Sequence, residues 1–445
     1  MSTANELRHI FDVQRQHQWL LRKGTGEQRV AKLQRLRSAL LEIREEIDVA
    51  LASDMERPKD SAASFELDYT IKAIDETVES LPQWMAPTEL EPTNQKAGDR
   101  ASLVYEPRGV VLLLGPWNFP FLLVFEPLVA AFSAGNCVIV KPSEMAPASS
   151  ALIARVIRAV FDEREVAVVE GDRAVAAALL DLPFDHIFLT GSPNVGRVVM
   201  AAAARHLASV TLELGGKNPA FVDQDVNMDL VVQGIATGRY FNNGQACTAT
   251  DYVLLPRGRV NEFSRKMGEL VMERFYSDGV FDAHNLGRFI NRSNYERVIS
   301  YIDGAVAKGA RILFGGKTRD AEAMTLEPTI ITDVPADCDL MQDEIFGPVI
   351  ILVPYDDVQE IFPMVRSHSK PLAISVFSDR DEFVQAVLGN TSSGMLSING
   401  WALTFFEPKL PFGGVNESGI GAYHGLFGFK AFSHERAFYA TSSGT

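Results

Sequence analysis

The chain has 445 residues, of which 47% are hydrophobic and 22% charged, and it carries a formal net charge of −15. This length and balance indicate a globular protein of two or three domains. The negative charge argues against nucleic acid or an anionic membrane as the main partner, although helix N-termini and single lysines still allow a bound dinucleotide.

The N-terminal region is predicted to be helical. Residues 4–54 show the spacing of two helices separated by the segment 24–26, and residues 64–85 that of a third. Residues 1–16 carry mixed charges and lack the apolar core of a signal peptide. Residues 87–101 are polar and rich in Pro, Thr and Asn, which indicates a linker, an exposed arm or a pair of edge strands.

From residue 105 onward, short apolar strands alternate with helices. Strands are predicted at 109–114, 137–140, 166–169, 186–189 and 210–214, with helices at 121–134, 148–161, 173–180 and 197–207. This alternation predicts a parallel, doubly wound sheet that binds ligands where its strands end. The apolar run 109–140 is interrupted by prolines and polar residues, so we expect a buried core and not a membrane span.

A second α/β pattern follows over about 220–399. Helices are predicted near 226–243, 260–275, 292–308 and 379–389, and strands near 252–255, 310–314, 349–353 and 372–377. Residues 429–440 alternate sufficiently for a terminal strand.

Loops at the ends of predicted strands carry polar groups, each with a structural and a functional interpretation. Asn118, held between aromatic residues and prolines, either donates its amide to an oxyanion or serves as a turn residue. Lys141 and Glu144 either bind a ribose or phosphate or form a solvated charge pair. The segment Gly191–Gly196 either approaches a phosphate at a helix start or is an ordinary glycine turn.

Glu213 and Cys247 complete the set of candidates. Glu213 stands between two leucines, where burial would raise the pKa of its carboxyl and suit a general base, but an edge residue facing water fits equally well. Cys247 lies in a loop of small residues that leaves its sulfur open to a substrate, and the alternative is a buried structural thiol. The three cysteines form no CxxC pair, so we expect no disulfide, no metal site and a reducing compartment.

Together these segments resemble the aldehyde dehydrogenase superfamily over about residues 105–436, with weaker similarity upstream. The matching segments are GPWNFPF (115–121), KPSE (141–144), FDHIFLTGSPNVG (184–196), VTLELGGKNP (210–219), FNNGQACTATDYVLL (241–255), QDEIFGPV (342–349), LPFGGVNESGIGAYHG (410–425) and FGFKAFSHER (427–436). The short N-terminus and the GAYHGLFGF ending are most similar to the class 3 branch, which includes fatty, benzaldehyde-type and coniferyl-type aldehyde dehydrogenases.

The resemblance implies an α/β fold of two doubly wound Rossmann-type domains with a small β element for bridging and oligomerisation. It implies an NAD(P)-binding domain over 1–87 and 105–213, a catalytic domain over 214–397, and bridging segments over 88–104 and 398–445. By analogy with the family, the arm and the terminal strand would pair two subunits into a homodimer. No apolar anchor follows the terminal strand, so we expect a soluble, cytoplasmic protein.

The resemblance also implies residue roles. Cys247 would attack the aldehyde carbon to give a thiohemiacetal, whose oxyanion the Asn118 side chain and the Cys247 backbone N–H would hold. Hydride transfer would leave a thioester, which water activated by Glu213 would hydrolyse to the acid. The cofactor would be NAD, which Glu144 favours, with NADP as the alternative, and its contacts would be Trp117, Lys141, Glu144, Gly191, Ser192, Gly196, Leu214, Glu344 and Phe346.

Four positions depart from the family pattern. Asn416 stands where members commonly have glycine, and Thr250 where class 3 relatives usually have proline. Gly400 and Thr404 stand near positions where these relatives usually have aspartate and histidine. Asparagine tolerates left-handed backbone angles, so we expect the loop at 416 to keep its shape. The substrate entrance implied by the family would be apolar and aromatic, which predicts an aromatic or medium-to-long-chain aliphatic aldehyde, and it would be lined by Phe119, Trp401, Thr404, Phe405 and Phe406.

Two other functions stay open at this stage. One is a CoA-acylating dehydrogenase, in which CoA takes the acyl group; a placed base at Glu213 argues for water instead. The other is a non-catalytic family member with a binding or structural role, against which the joint presence of Cys247, Glu213 and Asn118 argues.

Overall fold

The structure is a computed structural model of the protein, and it describes residues 3–58, 62–93 and 99–441. In chain order its helices are α1 (Ala4–Arg22), α2 (Gly26–Glu42), α3 (Arg44–Met55), α4 (Ala62–Met85), α5 (Leu122–Ser133), α6 (Pro147–Val160), α7 (Arg173–Leu180), α8 (Pro193–Ala204), α9 (Met228–Tyr240), α10 (Val260–Phe275), α11 (Arg292–Ala307), α12 (Asp339–Gln342), α13 (Val358–Ser367), α14 (Asp381–Asn390) and α15 (Gly425–Ala431). None of these helices in the described ranges has both the length and the apolar character that crossing a membrane requires.

The strands, in the same order, are β1 (Thr88–Leu90), β2 (Arg100–Pro107), β3 (Val110–Leu114), β4 (Cys137–Lys141), β5 (Val166–Val168), β6 (His186–Thr190), β7 (Ser209–Glu213), β8 (Pro219–Val222), β9 (Tyr252–Pro256), β10 (Tyr276–Ser277), β11 (Val280–Phe281), β12 (Arg311–Phe314), β13 (Arg319–Asp320), β14 (Thr325–Leu326), β15 (Thr329–Thr332), β16 (Val349–Tyr355), β17 (Ala373–Phe377), β18 (Met395–Ile398), β19 (Gly419–Ile420) and β20 (Ser433–Ala440). The short pairs β10–β11 and β13–β14 form separate hairpins.

The first large sheet has the strand order β19-β7-β6-β3-β4-β5, and its edge strand β19 runs antiparallel to β7. Its central strands are continuous apolar runs, as in the fully buried β3, because helices cover both faces of a parallel sheet. The chain lays β4 and β5 on one side of β3 and then places β6 and β7 on the other. The loops after β3 and β6 therefore flank the reversal point at which doubly wound sheets bind ligands.

The second large sheet has the order β12-β15-β16-β9-β8-β17-β18, parallel except for the edge strand β12. Successive residues face two different apolar layers: Phe221 packs into one, and Ala220 and Val222 pack into the other. β7 ends at Glu213 and β8 begins at Pro219, so the chain passes within a few residues from the C-terminal edge of one sheet to the N-terminal edge of the other. The two parallel sheets confirm the predicted α/β fold.

A third, antiparallel sheet joins β1, β2 and β20 in that order. This is the small β element expected from the arm and the terminal strand, although residues 94–98 of the arm lie outside the described residues. Along β20, the six residues His434–Tyr439 are exposed on both faces of the strand. The residue ranges assigned above to cofactor-binding, catalytic and bridging domains stay a prediction.

Several predicted elements differ from the structure. Residues 4–55 form three helices and not two, because the chain breaks at Ile43 (φ −107°, ψ 17°), where neither glycine nor proline marks a boundary. Helix α8 begins at Pro193 and ends at Ala204, earlier than predicted. The predicted strand 429–440 is split, since residues up to Ala431 belong to α15. Among the elements that the pattern missed are α13, which contains Pro363, and the large-sheet strands β8, β15, β18 and β19. It also missed the short helices α12 and α15 and the hairpins β10–β11 and β13–β14.

Candidate active site

A crevice of about 260 Å³ lies where the two large sheets meet. The first sheet contributes the loops that follow β3 and β6 and the end of β7, and the second contributes the loop before β9 and the segments around α11 and α12. Its walls are Pro116, Trp117, Asn118, Thr190, Gly191, Ser192, Glu213, Gly215, Cys247, Asn294, Arg297, Glu344 and Phe346. The structure thus brings eight of the predicted site residues to one crevice.

The loop that carries Cys247 is held in a conformation that its small and amide residues permit. Asn242 and Asn243 have left-handed backbone angles (φ 51° and 57°), and Gly244 follows with φ 73°. Asparagine and glycine adopt this region at low cost. Any side chain at Gly244 would collide with the carbonyl oxygen of Gly347. The close approach of this backbone explains the glycine before Cys247.

Asn218 fixes the backbone on the far side of the cysteine. Its amide nitrogen donates to the carbonyl oxygens of Cys247 (2.7 Å) and Ala249 (3.1 Å), and its amide oxygen accepts from the backbone N–H of Ala373 (2.9 Å). The cysteine loop is therefore tied to the start of β8 and to β17. Sequence reasoning missed this residue, although it lies in the matched segment VTLELGGKNP.

A buried ion pair lies beneath the loop. Arg239 donates to Asp251 across 3.1 Å, and both side chains are almost completely buried. Asp251 also accepts from the backbone N–H groups of Asn218 and Ile345, each at 3.0 Å. One carboxylate thus holds together the segments that present Cys247 and Glu344 to the crevice. A buried charge pair with several such hydrogen bonds fixes relative position.

Asn118 is buried and bound directly to the cysteine loop. Its side-chain amide donates to the backbone carbonyl oxygen of Gln245 (3.1 Å). The backbone carbonyl oxygen of Asn118 accepts from the Asn242 side-chain amide (2.9 Å). An asparagine amide has two N–H donors. One of them is engaged here, which leaves the other for a group bound beside Cys247.

Glu213 ends β7 inside the crevice, and its side chain is almost completely buried. Among the described residues neither of its carboxylate oxygens has a hydrogen-bond partner. Burial, with a smaller effect from the charge of Glu126, raises the pKa of Glu213 well above its usual range. A buried carboxylate whose pKa is raised in this way is a stronger base than one in water, so it can accept a proton from a neighbouring group. The alternative of an edge residue facing water is excluded.

Glu344 and Cys247 also have shifted proton affinities. Burial, followed by the charge of Asp251, raises the pKa of Glu344 to about 8. Burial and the charges of Glu344 and Glu213 raise the pKa of the Cys247 thiol above its usual range. The cysteine is therefore a neutral thiol near neutral pH, and a base must remove its proton before the sulfur becomes nucleophilic.

The predicted cofactor residues fall into two groups. Trp117, Gly191, Ser192, Glu344 and Phe346 line the crevice. The rings of Trp117 and Phe346 meet edge to face at 5.5 Å. Ser192 is the N-cap of α8, where its hydroxyl accepts from a backbone N–H at 3.4 Å. Two aromatic rings and a helix N-terminus therefore lie at one opening.

The other four lie outside the crevice wall as the described residues define it. Lys141 and Glu144 form an ion pair of 2.6 Å at the end of β4, with Lys141 buried and the Glu144 side chain 41% exposed. Gly196 lies directly against the Leu214 side chain. A Cβ atom at this position would stand only 3.0 Å from a Leu214 methyl carbon. The glycine thus allows α8 to lie close to the first sheet.

A second, apolar chamber reaches Cys247 from another direction. It has a volume of about 30 Å³ and contains, of the predicted entrance residues, Phe119, Trp401 and Phe405. The Trp401 indole donates to the carbonyl oxygen of Thr248 (2.8 Å), which fixes this wall beside the cysteine. Its full lining is Phe65, Phe119, Leu122, Leu123, Ala246, Cys247, Thr248, Trp401, Ala402, Phe405 and Phe412.

Two predicted entrance residues are placed elsewhere. Phe406 lines a separate surface pocket. Thr404 stands outside both cavities as the described residues define them, with its hydroxyl oxygen buried. Of the other departures, Asn416 has φ 57°, the left-handed angle expected of it, and Thr250 is buried.

Sequence reasoning missed residues that only the fold brings to the cavities. Asn294 and Arg297, at the start of α11, line the crevice. Phe65 of α4 reaches the apolar chamber from far away in the chain. No local pattern marks these residues. No group of His, Cys, Asp and Glu within the described ranges has the arrangement of a metal site.

Sequence comparison with known proteins identifies the family of this chain. The aldehyde dehydrogenase family profile matches residues 1–438. AldX of Bacillus subtilis (strain 168) is 42% identical, over 98% of both chains. A relative from Canis lupus familiaris, named as a dimeric, NADP-preferring aldehyde dehydrogenase, is 37% identical over 92% of this chain and 89% of its own length.

Solved structures of aldehyde dehydrogenases have the same fold as this chain. The substrate-bound AldH of Staphylococcus aureus superposes with a TM-score of 0.94 at 32% identity, covering 100% of this chain and 95% of that one. A Mycobacterium tuberculosis aldehyde dehydrogenase complexed with NAD+ gives a TM-score of 0.89 at 25% identity, covering 100% of this chain and 92% of that one. The cysteine between two cavities thus occurs in a chain that belongs to the aldehyde dehydrogenase family.

Proposed function

We propose that the protein oxidises an aldehyde to the carboxylic acid with NAD or NADP, through a covalent intermediate on Cys247. The observation that supports this most strongly is that Cys247 lies in the walls of both cavities. The wall of one cavity contains carboxyl, amide and guanidinium groups and a helix N-terminus, and the wall of the other is almost wholly apolar. A sulfur between them can contact a substrate from one side and a cofactor from the other.

The crevice fits a nicotinamide dinucleotide. An oxygen of the Glu344 carboxyl is buried without a hydrogen-bond partner among the described residues, so it is free to accept from a ribose hydroxyl. Ser192 and the N-terminus of α8 would face the pyrophosphate, and Trp117 and Phe346 would flank the nicotinamide. When bound, the cofactor supplies the hydride acceptor that converts a thiohemiacetal to a thioester.

The residues around the sulfur would divide the chemistry. Glu213 takes the thiol proton, and the Cys247 sulfur bonds to the carbonyl carbon. The free N–H of the Asn118 amide and the Cys247 backbone N–H stabilise the resulting oxyanion. After oxidation, Glu213 releases the thiol proton to solvent and is a carboxylate again. It then removes a proton from water as the water oxygen bonds to the thioester carbon. The carbon–sulfur bond breaks, the acid leaves, and the Cys247 thiolate takes up the proton that Glu213 holds.

Cofactor preference would depend on Lys141 and Glu144. We propose that both face the adenosine ribose, where the Glu144 carboxylate favours the free 2′-hydroxyl of NAD. The ion pair with Lys141 lowers the repulsion that Glu144 would exert on a 2′-phosphate. We therefore expect NAD to be preferred and NADP to be accepted, and parallel kinetics with both cofactors test this. A strong preference for NADP would show that Glu144 does not face the ribose.

The apolar chamber supports an aromatic or medium-to-long-chain aliphatic aldehyde. Its walls are rings and leucine side chains, and its narrow volume suits a flat or unbranched substrate. We expect kcat/KM to be higher for benzaldehyde and octanal than for acetaldehyde. A clear preference for acetaldehyde would contradict this substrate class.

We further propose that the protein is a homodimer. An eight-residue strand with six residues exposed on both faces lacks the packing that stabilises a sheet edge. Phe438 and Tyr439 are both more than half exposed on this strand. A second copy that covers β20 would bury them.

An aldehyde panel with both cofactors tests the proposed activity. We expect NAD(P)H formation with one equivalent of acid and no requirement for CoA. Formation of acyl-CoA in place of the acid would favour a CoA-acylating enzyme, and absence of NAD(P)H formation across the panel would favour a non-catalytic protein.

A further inference from the structure

A short linker, residues 214–218, joins the two large sheets and contacts the segment that carries Glu344. Near its start, Gly215 lies directly against the Glu344 carboxylate, and any side chain at this glycine would collide with both carboxylate oxygens. At its end, Asn218 holds the backbone of the cysteine loop. Lys217 stands between these two contacts, and the proposed mechanism assigns it no role.

The ammonium group of Lys217 is buried and bound to backbone carbonyl groups. Lysine is almost never fully buried unless it is paired, yet Lys217 is only 3% exposed. Its Nζ donates to the carbonyl oxygens of Leu340 and Asp343, each at 2.6 Å. Leu340 lies in α12, and Asp343 follows that helix and directly precedes Glu344. One ammonium group therefore ties the linker to the backbone on the N-terminal side of Glu344.

Two other charged groups hold the C-terminal side of the same segment. The Arg297 guanidinium, in the crevice wall, donates to the backbone carbonyl oxygens of Glu344 (3.2 Å) and Ile345 (3.0 Å). The Asp251 carboxylate accepts from the backbone N–H of Ile345 (3.0 Å). The backbone is thus fixed by charged side chains on both sides of Glu344, and Lys217 supplies the contacts on one side.

We propose that Lys217 is a positioning residue for the cofactor, because it holds the Glu344 carboxylate where that carboxylate would accept from the nicotinamide ribose. Lys217 itself lines neither cavity as the described residues define them. Without its ammonium group, the carbonyl oxygens of Leu340 and Asp343 lose their donor, and the backbone before Glu344 must shift to find another. The inference rests on the proposed function and adds a residue on which the affinity for the dinucleotide depends.

The charges around Lys217 are consistent with this role. Burial lowers the pKa of Lys217 to about 8; of the neighbouring charges, Asp251 raises this pKa, Arg239 lowers it, and Glu344 and Asp343 raise it. At pH 7 the group is therefore an ammonium with three N–H donors. Two of these donors bind the carbonyl oxygens that precede Glu344.

The variant Lys217→Met tests the positioning role in the full-length protein. Methionine is unbranched and nearly as long as lysine, so it fills the buried space but donates no hydrogen bond. We expect the Kd for NAD, measured by isothermal titration calorimetry, to rise about tenfold or more, because two buried carbonyl groups lose a charged donor. Hydrolysis of p-nitrophenyl acetate without cofactor, which would use Cys247 and Glu213 alone, should stay within about twofold of the wild type.

Lys308→Met is the matched control. The Lys308 side chain is 48% exposed, and it too donates to a backbone carbonyl oxygen before α12, that of Asp337 (3.2 Å). This variant should bind NAD with the affinity of the wild type.

A double-mutant cycle shows whether Lys217 acts through Glu344. We expect Glu344→Gln alone to weaken NAD binding, and the addition of Lys217→Met to that variant to change the Kd by less than about twofold. Additive effects would show that Lys217 acts on the cofactor independently of Glu344 and would overturn the proposal. A wild-type Kd in Lys217→Met would overturn it too. A parallel loss of ester hydrolysis would assign Lys217 a purely structural role, with the same consequence.

A second variant keeps the test valid if Lys217→Met does not fold. Lys217→Gln places a shorter, uncharged donor at the same position, and we expect it to weaken NAD binding while ester hydrolysis stays at the wild-type rate. A folded Lys217→Gln protein with wild-type affinity for NAD would contradict the positioning role. A wild type that binds neither NAD nor NADP would instead refute the proposed function.

Discussion

The proton affinity of Cys247, the proposed nucleophile, depends on its neighbours. Burial and two nearby carboxyls raise the pKa of this thiol, so Cys247 in the folded protein is less acidic than a cysteine in water. Reactivity then requires a base inside the cavity, and Glu213, with a raised pKa of its own, can supply it. Thiol and carboxyl must therefore be considered together.

Replacement of the cysteine tests its role directly. We expect Cys247→Ser to lower kcat/KM by at least about 10³-fold, because a serine hydroxyl in the same place is a far weaker nucleophile. The control Cys338→Ser changes a buried cysteine outside both cavities as described, and it should keep activity once folding is verified by circular dichroism. Full activity of Cys247→Ser would rule out the covalent mechanism.

The raised pKa of Glu344 predicts a stability effect with a definite sign. Its pKa in the folded protein, about 8, lies above the ordinary glutamate value near 4.5. The folded state therefore favours the neutral carboxyl, and stability falls as pH rises between these two values. In Glu344→Gln this loss disappears, so the Tm of the variant relative to wild type should increase from pH 5 to pH 8. A Tm difference independent of pH would contradict the raised pKa.

The principal candidates could be found from the sequence because each lies in a short matched segment. Cys247, Glu213, Asn118, Ser192 and Glu344 were all predicted and all line the crevice. Glu126 was noted only as a polar interruption of an apolar run, and nothing in the local pattern connected it to His424, whose Nε2 lies 3.3 Å from its carboxylate. These residues meet only through tertiary packing, which spacing along one chain does not report.

At the scale of elements, α4 positions the wall that faces the cysteine. Glu66 of this helix forms a buried ion pair with Arg57 and accepts from the backbone N–H groups of Phe121 (2.8 Å) and Leu122 (3.2 Å). The Arg57 guanidinium lies over the ring of Phe119, 5.2 Å from its centre. One carboxylate therefore fixes the start of α5 and part of the apolar chamber.

Two variants on α4 separate this buried pair from an exposed one. We expect Glu66→Ala to lower the free energy of unfolding by about 3–5 kcal/mol, because it leaves the Arg57 charge buried without its partner. Asp68→Ala breaks the exposed pair with Arg44 and should cost less than about 1 kcal/mol. Urea unfolding measures both values, and equal effects of the two variants would contradict this assignment.

The predicted elements were most accurate where periodicity was uninterrupted. Helix α10 was predicted with its observed bounds, Val260–Phe275. Helix α13 was missed because Pro363 stands inside it, and proline is read as a helix breaker. The break at Ile43 was missed for the opposite reason, since no glycine, proline or capping side chain marks it.

At the scale of the whole molecule, the terminal strand β20 leaves a long edge and six of its residues exposed. β20 pairs with β2 along its full length, from Ser433 opposite Pro107 to Ala440 opposite Arg100, yet its other edge has no neighbouring strand among the described residues. Its apolar and aromatic side chains are exposed. The proposed second subunit would complete this sheet.

A charge placed on this strand should separate the subunits. We expect the wild type to have the mass of a dimer by light scattering and Phe438→Lys to shift toward the monomer, because a buried lysine has no partner at a symmetric interface. Leu207→Lys, at a 93% exposed apolar residue outside the third sheet, is the control and should stay dimeric. A monomeric wild type would refute the dimer.

The central claim is that Cys247 carries the acyl group and Glu213 releases it. Glu213→Gln also lacks the base for the thiol, so it should be mixed with benzaldehyde and NAD at alkaline pH, where hydroxide can remove the thiol proton; it should then slowly form up to one equivalent of NADH per subunit and stop. Peptide mass spectrometry should find the benzoyl group on the peptide containing Cys247. Sustained wild-type turnover by this variant, or a benzoyl group absent from Cys247 after the burst, would contradict the account.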